Sequence, residues 1–338
     1  MQTIVQEKFD IKILKLSSPV PDKQAWQMES FLLKIFEYGD YSFRKALAGK
    51  LHRHLQCTFF FSKNNGSILA AAGSLYSLDN PAVAIMGPVC TAPMYRKKGI
   101  ACQACGMLLE HLKAQKTQAV YLGVKDNIPV VNLYKKIGFT KYSGVVMRKL
   151  FVNKDDFDRR YSSGQQTIVR RIDWRDFAEV SALFCEPAAM YSFDFCRRIF
   201  SAMYVEHQKF LPVFPDLMDS LEKNGGCGST LQTKEHSSIV GAAFIKGKPS
   251  KTQSHIAFLE FFVLDGFLDK AKDLVIETIK QSDLEGNRTI LCYCLNCDIN
   301  KKQILLSLGA ESYAALPGFI RIKNKLQDTI IYKLTRKL

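Results

Sequence analysis

Between Phe9 and Leu16 apolar and polar residues alternate with the period of two that a half-buried strand requires. From Asp22, a residue suited to an N-cap, apolar positions recur at helical spacing as Trp26, Phe31, Leu32, Ile35 and Phe36, and Gly39 ends the stripe. A second helix is expected over Ser42 to Leu55. Thr58 to Ser62 reads as a strand, Asn64-Asn65-Gly66 as a hairpin turn, and Ser67 to Tyr76 as the returning strand. Asp79-Asn80-Pro81 turns again, and Ala82 to Thr91 is a long apolar strand. A helix over Lys98 to Gln115, a strand over Ala119 to Val124 and a short helix over Pro129 to Ile137 follow. Phe139 to Leu150 reads as a hairpin around Gly144.

The second half repeats nearly the same list. Thr167 to Ile172 is a strand, and Asp173 caps a helix carrying Phe177, Val180 and Leu183. More helix is expected from Phe193 to Leu221. Strands follow at Ser229 to Lys234, Ile239 to Ile245 and Ile256 to Leu264, then a helix from Leu268 to Gln281. A strand at Thr289 to Leu295, a helix at Asn300 to Leu308 and two final strands close the pattern. The expectation is a mixed α/β (α+β) chain of two tandem domains, each with a twisted, mostly antiparallel central sheet flanked by helices. Ser162 to Gln166 is polar and small enough to be a linker, which sets the domains at residues 1–162 and 163–338.

Charge changes this picture in one half only. Residues 1–150 carry 21 Lys and Arg against 9 Asp and Glu, a net +12, and residues 151–338 carry 26 against 23, a net +3. A basic first half implies an anionic partner: nucleic acid, or a phosphate-bearing cofactor that needs less of the surface. The basic residues are scattered rather than set in one stripe with aromatics, which disfavours nucleic acid. No apolar run approaches the ~20 residues of a membrane helix. The start of the chain has no basic and then apolar leader, and ten scattered cysteines suit a reducing compartment, so a cytoplasmic location without membrane attachment is expected.

The stretch Val89 to Ala101 carries the chemistry. An apolar strand ends at Pro93, a basic loop of Arg96, Lys97 and Lys98 follows, and the chain enters a helix through Gly99 and Ala101. A helix N-terminus leaves N–H groups unpaired and carries partial positive charge, and small residues let a phosphate reach it. A second element, Asn127, Val130, Tyr134, Gly138 and Phe139, follows at a fitting distance.

Together these elements resemble the GNAT superfamily of acyl-CoA-dependent N-acetyltransferases. The family signatures are V-x-P-x-x-R/Q-x-x-G-x-G/A and N-x-x-A-x-x-x-Y-x-x-x-G-F. Here Thr91, Pro93, Arg96, Gly99 and Ala101 match the first, with Thr91 for Val. Asn127, Val130, Tyr134, Gly138 and Phe139 match the second, with Val130 for Ala. The resemblance implies acetyl-CoA as co-substrate, no metal, and transfer of an acetyl group to a primary amine by direct attack. It implies that the edge of Val89, Cys90 and Thr91, on a bulged strand, pairs with the pantetheine arm. Lys97, Lys98, Gly99, Ile100, Ala101 and Cys102 then line the pyrophosphate, with Arg96 at the entry. Asn127 would hold the pantetheine, and Tyr134 would return a proton to the departing thiolate.

Many relatives use a Glu on the fourth or fifth strand as base. Ala82 to Thr91 has no acid, and Gly123 stands where the fifth strand would place one. Glu29, Glu37 and Asp40 are alternatives, each expected to be a solvated surface charge, and proton loss through water is equally open. The acceptor is expected to be a small amine or amino-acid-like metabolite, with a protein lysine or N-terminus as the alternative, and a non-catalytic CoA-sensing protein as the rival class.

Aligning Gly138 with Gly309 places Asp298 at Asn127 and Leu305 at Tyr134, so the phenol is missing from the second half. Asp265 and Asp269 stand where a pyrophosphate would lie and would repel it. The second half therefore resembles a degenerate copy that shapes an acceptor pocket or forms a homodimer interface. Cys292, Cys294 and Cys297 lack a fourth zinc ligand nearby. Cys102 with Cys105, His52 with His54, and Gly225 to Gly228 are expected to be structural. A covalent acyl intermediate on Cys90 is disfavoured by the family's direct transfer.

Overall fold

The computed structural model describes residues 12–36, 41–124, 129–186, 188–193, 199–201, 204–205, 213–223, 226–247, 255–282, 289–322 and 324–335. The chain divides into two compact units, Met1–Thr117 and Gln118–Leu338.

In the first unit the elements are β1 (Ile13–Ser17), α1 (Asp22–Phe36), α2 (Tyr41–Leu47), β2 (Leu55–Asn64), β3 (Ser67–Ser77), β4 (Val83–Thr91) and α3 (Ile100–Ala114). Strands β1 to β4 pair in chain order, every neighbour antiparallel. The β2–β3 hairpin closes with Asn64 opposite Ser67, and Asn65 and Gly66 both take positive φ, as a two-residue primed turn demands. Two faces are covered. Phe60 and Tyr76 meet His111 of α3, whereas Phe59 meets Phe43 of α2 on the other side.

Three sequence expectations change here. The helix expected to Leu55 stops at Leu47, because Gly49 turns at φ 70° against Pro19 and Leu55 is already the buried start of β2. Trp26 is 57% exposed, so α1 packs through Ala25, Met28, Phe31 and Leu32 instead. Glu29, expected in solvent, is buried on that same inward face. Glu37, Gly39 and Asp40 lie outside the described residues.

The second unit begins with β5 (Ala119–Gly123), α4 (Val130–Lys136), β6 (Thr140–Ser143), β7 (Val146–Leu150) and α5 (Lys154–Asp158). β7 pairs antiparallel with both β5 and β6. Next come β8 (Thr167–Arg171), α6 (Phe177–Leu183), the short strands β9 (Ser192–Phe193), β10 (Ile199–Ser201) and β11 (Tyr204–Val205), and α7 (Val213–Lys223). The unit ends with β12 (Cys227–Thr233), β13 (Ile239–Gly247), β14 (Ile256–Val263), α8 (Ala271–Gln281), β15 (Thr289–Leu295), α9 (Ile299–Ser307), β16 (Glu311–Ile322) and β17 (Lys325–Thr335). A seven-stranded sheet runs β16-β17-β15-β14-β13-β12-β8, and only β14 and β15 are parallel in it. The helix expected over Phe193 to Leu221 is replaced by β9, β10 and β11 followed by α7, with the intervening residues outside the described ones. The fold is thus mixed α/β with mostly antiparallel sheets flanked by helices, the class expected from the sequence.

Candidate acyl-CoA site

The strand β4 carries a bulge. Ala72 pairs with Val89 and Ser74 with Met86, so the single residue Gly73 on β3 faces two on β4, Gly87 and Pro88. Gly87 sits at φ 148°, which a side chain would disfavour, and Pro88 has no N–H to give to a ladder. The extra residue exchanges the faces of β4. Met86 and Val89 both lie on the side of Tyr76 and α3, and Cys90, opposite Ala71, turns to the side of α1 and α2.

After Thr91 the Ala92 N–H donates to the Leu69 carbonyl, and Pro93–Tyr95 makes a single turn of 3-10 helix. Lys97 at φ 62° and Gly99 at φ 77° then swing the chain into α3. A left-handed non-glycine residue costs ~1–2 kcal/mol, so the path at Lys97 is imposed by its surroundings. Gly99 is the N-cap of the 15-residue helix α3 and offers no side chain to its N–H groups. A Cβ at Gly99 would meet nothing within 4 Å. The first turn of α3 is therefore open, uncapped and at the positive end of a four-turn dipole. Arg96, Lys97 and Lys98 are exposed around it, Ile100 is buried, and Ala101 and Cys102 are half-buried. The Arg96 Nε donates to the Thr91 carbonyl at 3.2 Å, and the Lys98 ammonium lies 5.4 Å from the Tyr95 ring. Such an arrangement can hold a polyanion by backbone N–H groups and cationic side chains together.

Burial pushes the Cys90 thiol up to about 12, against smaller opposing effects from a backbone hydrogen bond at Ala71 and the charge of Arg96. A thiol so held is protonated at neutral pH and is a poor nucleophile.

In the second unit Tyr134 is buried on α4, its ring set edge-on to Phe139 with centroids 5.9 Å apart. Gly138 ends α4 at φ 92°, where a Cβ would come 2.5 Å from the Lys149 Nζ that caps the Ile137 carbonyl. Gly309 ends α9 at φ 79° in the same way. The Phe139 N–H donates to the Tyr134 carbonyl and the Ala310 N–H to the Leu305 carbonyl, each at 3.0 Å. This local identity supports the sequence alignment of Tyr134 with Leu305. Asn127 lies outside the described residues.

One buried group was not foreseen. Glu186, just after α6, accepts hydrogen bonds from Tyr121 of β5 at 2.6 Å and Tyr142 of β6 at 2.7 Å. Arg148 of β7 stacks its guanidinium 3.8 Å from the Tyr142 ring centroid and lies 3.8 Å from the same carboxylate. Burial pushes the Glu186 carboxyl up, while the two phenols and Arg148 pull it back. Three strands before residue 162 thus converge on a carboxylate from after it. No sequence motif announces this, because the partners are 65 and 44 residues away.

Further along, Lys301 of α9 is fully buried against Glu260 of β14, and its Nζ also donates to the Tyr191 carbonyl at 3.1 Å. Burial acts to lower the Lys301 pKa. Glu260, Cys292, Cys294 and Asp298 outweigh it and hold the ammonium above its ordinary value. Asp298 accepts from the Tyr191 and Lys301 backbone N–H groups, and Asp265 accepts from that of Ala189. Gly226, before β12, is held small by the Ile245 carbonyl, which a Cβ would approach to 2.5 Å; Gly225 lies outside the described residues. Among the described residues no cluster of three His, Cys, Asp or Glu could hold a metal, and no helix is long and apolar enough to cross a membrane.

Residues 21–139 match the model of the acetyltransferase (GNAT) family, so the chain carries a GNAT acetyltransferase domain. By that domain it is an acyltransferase, and its chemistry is acetyl transfer. Several solved structures are similar to it at low identity. An N-acetyltransferase from Staphylococcus aureus is 13% identical, with 50% of this chain and 98% of that one covered and a TM-score of 0.39. A ribosomal-protein-alanine N-acetyltransferase from Brucella melitensis is 13% identical over 50% and 99% of the two chains, with a TM-score of 0.40. The yncA protein of Salmonella typhimurium, solved with its cofactor acetyl-CoA, is 13% identical over 51% and 95%, with a TM-score of 0.40. No curated protein matches the sequence.

Proposed function

We propose that this chain is an N-acetyltransferase that carries acetyl from acetyl-CoA to a primary amine of a small, amino-acid-like metabolite by direct attack. The observation that carries the reading is the open, uncapped N-terminus of α3 behind Gly99, beside the cations Arg96, Lys97 and Lys98. These residues, with Ile100, Ala101 and Cys102, bind the pyrophosphate. The bulged strand end of Val89, Cys90 and Thr91 receives the pantetheine arm, and Asn127 holds it. Acetyl-CoA supplies the acyl group as a thioester. Tyr134 gives its phenolic proton to the sulfur as the C–S bond breaks and the C–N bond forms, and the proton that the nitrogen loses passes through water and restores the phenol. The buried, protonated state of Cys90 supports direct transfer over an acyl-cysteine.

In this reading residues 1–162 form the catalytic domain. Residues 163–338 are a degenerate copy without a pyrophosphate loop, which walls the acceptor pocket or pairs two chains. The Lys301–Glu260 pair supports that view, since charged side chains already satisfy one another there. No metal takes part. A cytoplasmic location fits the described cysteines, all free thiols. The test is calorimetric titration of acetyl-CoA into the full chain, followed by thiol release with a panel of amines. No binding of acetyl-CoA would overturn the proposal.

A further inference from the structure

Glu29 is a buried acid on α1, 5% exposed. Among the described residues its Oε2 meets the Arg44 Nη1, at a long 3.4 Å, and Arg44 is itself 44% exposed. Its Oε1 is buried and has no hydrogen-bond partner among the described residues. A carboxylate oxygen taken from water and left without a donor is costly, and a native fold keeps such a group where something completes it.

The position of α1 says what that could be. The helix packs against α2 and against β4, the strand with the Gly87–Pro88 bulge. Phe43 of α2 reaches Phe59, and Phe59 shares its sheet face with Ile85 and Cys90 through the β2–β3–β4 register. Glu29 therefore stands on the helix layer over the face to which Cys90 turns after the bulge. The cations of the loop before α3, Arg96, Lys97 and Lys98, favour anions and offer nothing to a cationic acceptor. A single buried carboxylate on the opposite layer supplies the attraction that the acceptor otherwise lacks.

We propose that Glu29 receives the nitrogen of the acceptor amine, accepting an N–H hydrogen bond at Oε1 and thereby selecting primary amines over neutral or anionic acceptors. The inference rests on the acetyltransferase reading and names the residue that sets its acceptor class. It makes Glu29 a specificity-determining residue for the amine and leaves the binding of acetyl-CoA to the α3 N-terminus.

The test uses the full chain and three probe acceptors: n-butylamine, L-lysine and trialanine. Glu29→Gln keeps the shape of the side chain and removes its charge. The expected result is a KM for the accepted amine raised about tenfold or more, with acetyl-CoA affinity changed less than about twofold. Glu29→Asp, which keeps the charge one methylene further back, should fall between Gln and wild type, and it serves if the Gln variant folds poorly. Arg44→Ala controls for a purely structural ion pair and should leave the amine KM near wild type. An unchanged amine KM in Glu29→Gln, or equal losses of melting temperature in Glu29→Gln and Arg44→Ala with no kinetic change, would overturn the inference alone. Turnover of none of the three amines by a wild type that binds acetyl-CoA would also overturn it. Failure of wild type to bind acetyl-CoA would instead remove the reading beneath it.

Discussion

A Cβ on Gly73 would stand 3.0 Å from the carbonyl oxygen of Gly87, across the bulge, and 2.6 Å from the ring of Phe59. The pair fixes how close β3 and β4 run where β4 gains its extra residue. Gly73→Ala must displace either the ring or the bulge. It should lower stability by about 1–3 kcal/mol, the range for overpacking a filled core. Thermal melting reads this directly, and weaker acetyl-CoA binding should accompany it. An unchanged melting temperature would mean that the bulge is not held by this contact.

Gly99 separates conformation from access. Gly99→Ala adds a methyl group into open space, so its cost is the positive φ alone, about 1–2 kcal/mol. Gly99→Glu adds a charge where phosphate is proposed to lie. Calorimetry should find acetyl-CoA affinity moderately reduced in the first and abolished in the second. Equal affinity in Gly99→Glu would place the cofactor elsewhere.

Tyr134→Phe keeps the edge-on contact with Phe139 and removes only the hydroxyl. A general acid contributes about 10²–10⁴-fold, so kcat should fall within that range while the fold and acetyl-CoA affinity persist. A kcat within twofold of wild type, with an unchanged KM, would leave Tyr134 as a packing residue.

The raised Cys90 thiol predicts chemistry that does not happen. Intact-mass measurement after incubation with acetyl-CoA alone should show no added acetyl group on Cys90, and Cys90→Ala should retain turnover. A stable acetyl adduct on this residue would reverse the assignment of direct transfer.

Glu186 links pH to stability. Its carboxyl is pushed above the ordinary 4.5 chiefly by burial, so between the unfolded and the folded value the folded chain binds more protons here than the unfolded chain does. Its contribution is complete below the ordinary value and is lost as pH rises through the folded one. Glu186→Gln should melt with a flatter dependence on pH over that window, seen by calorimetric scans from pH 4 upward. An identical slope in both proteins would mean that this carboxyl takes up no proton on folding.

Much of this was readable in the residues themselves. Asn64-Asn65-Gly66 names its own turn, and Gly99 and Gly138 sit where positive φ is needed, so hairpin, cradle and helix stop appear as local patterns. The end of α2 did not, because Ala46, Leu47 and Leu51 continue a helical spacing while Gly49 and its contact with Pro19 break it. The stretch after Phe193 is apolar and aromatic, which suits strand and helix alike. Glu186 and the burial of Glu29 depend on partners far along the chain or on which face a helix turns inward, and neither leaves a local trace.

The Lys301–Glu260 pair has an evolutionary consequence. Losing either residue alone leaves the other's buried charge without its opposite charge, at about 3–5 kcal/mol. Lineages can therefore leave this arrangement only by changing both positions together. The pair works as a ratchet, and descendants of this chain should keep both residues or neither, even as the surrounding sequence drifts.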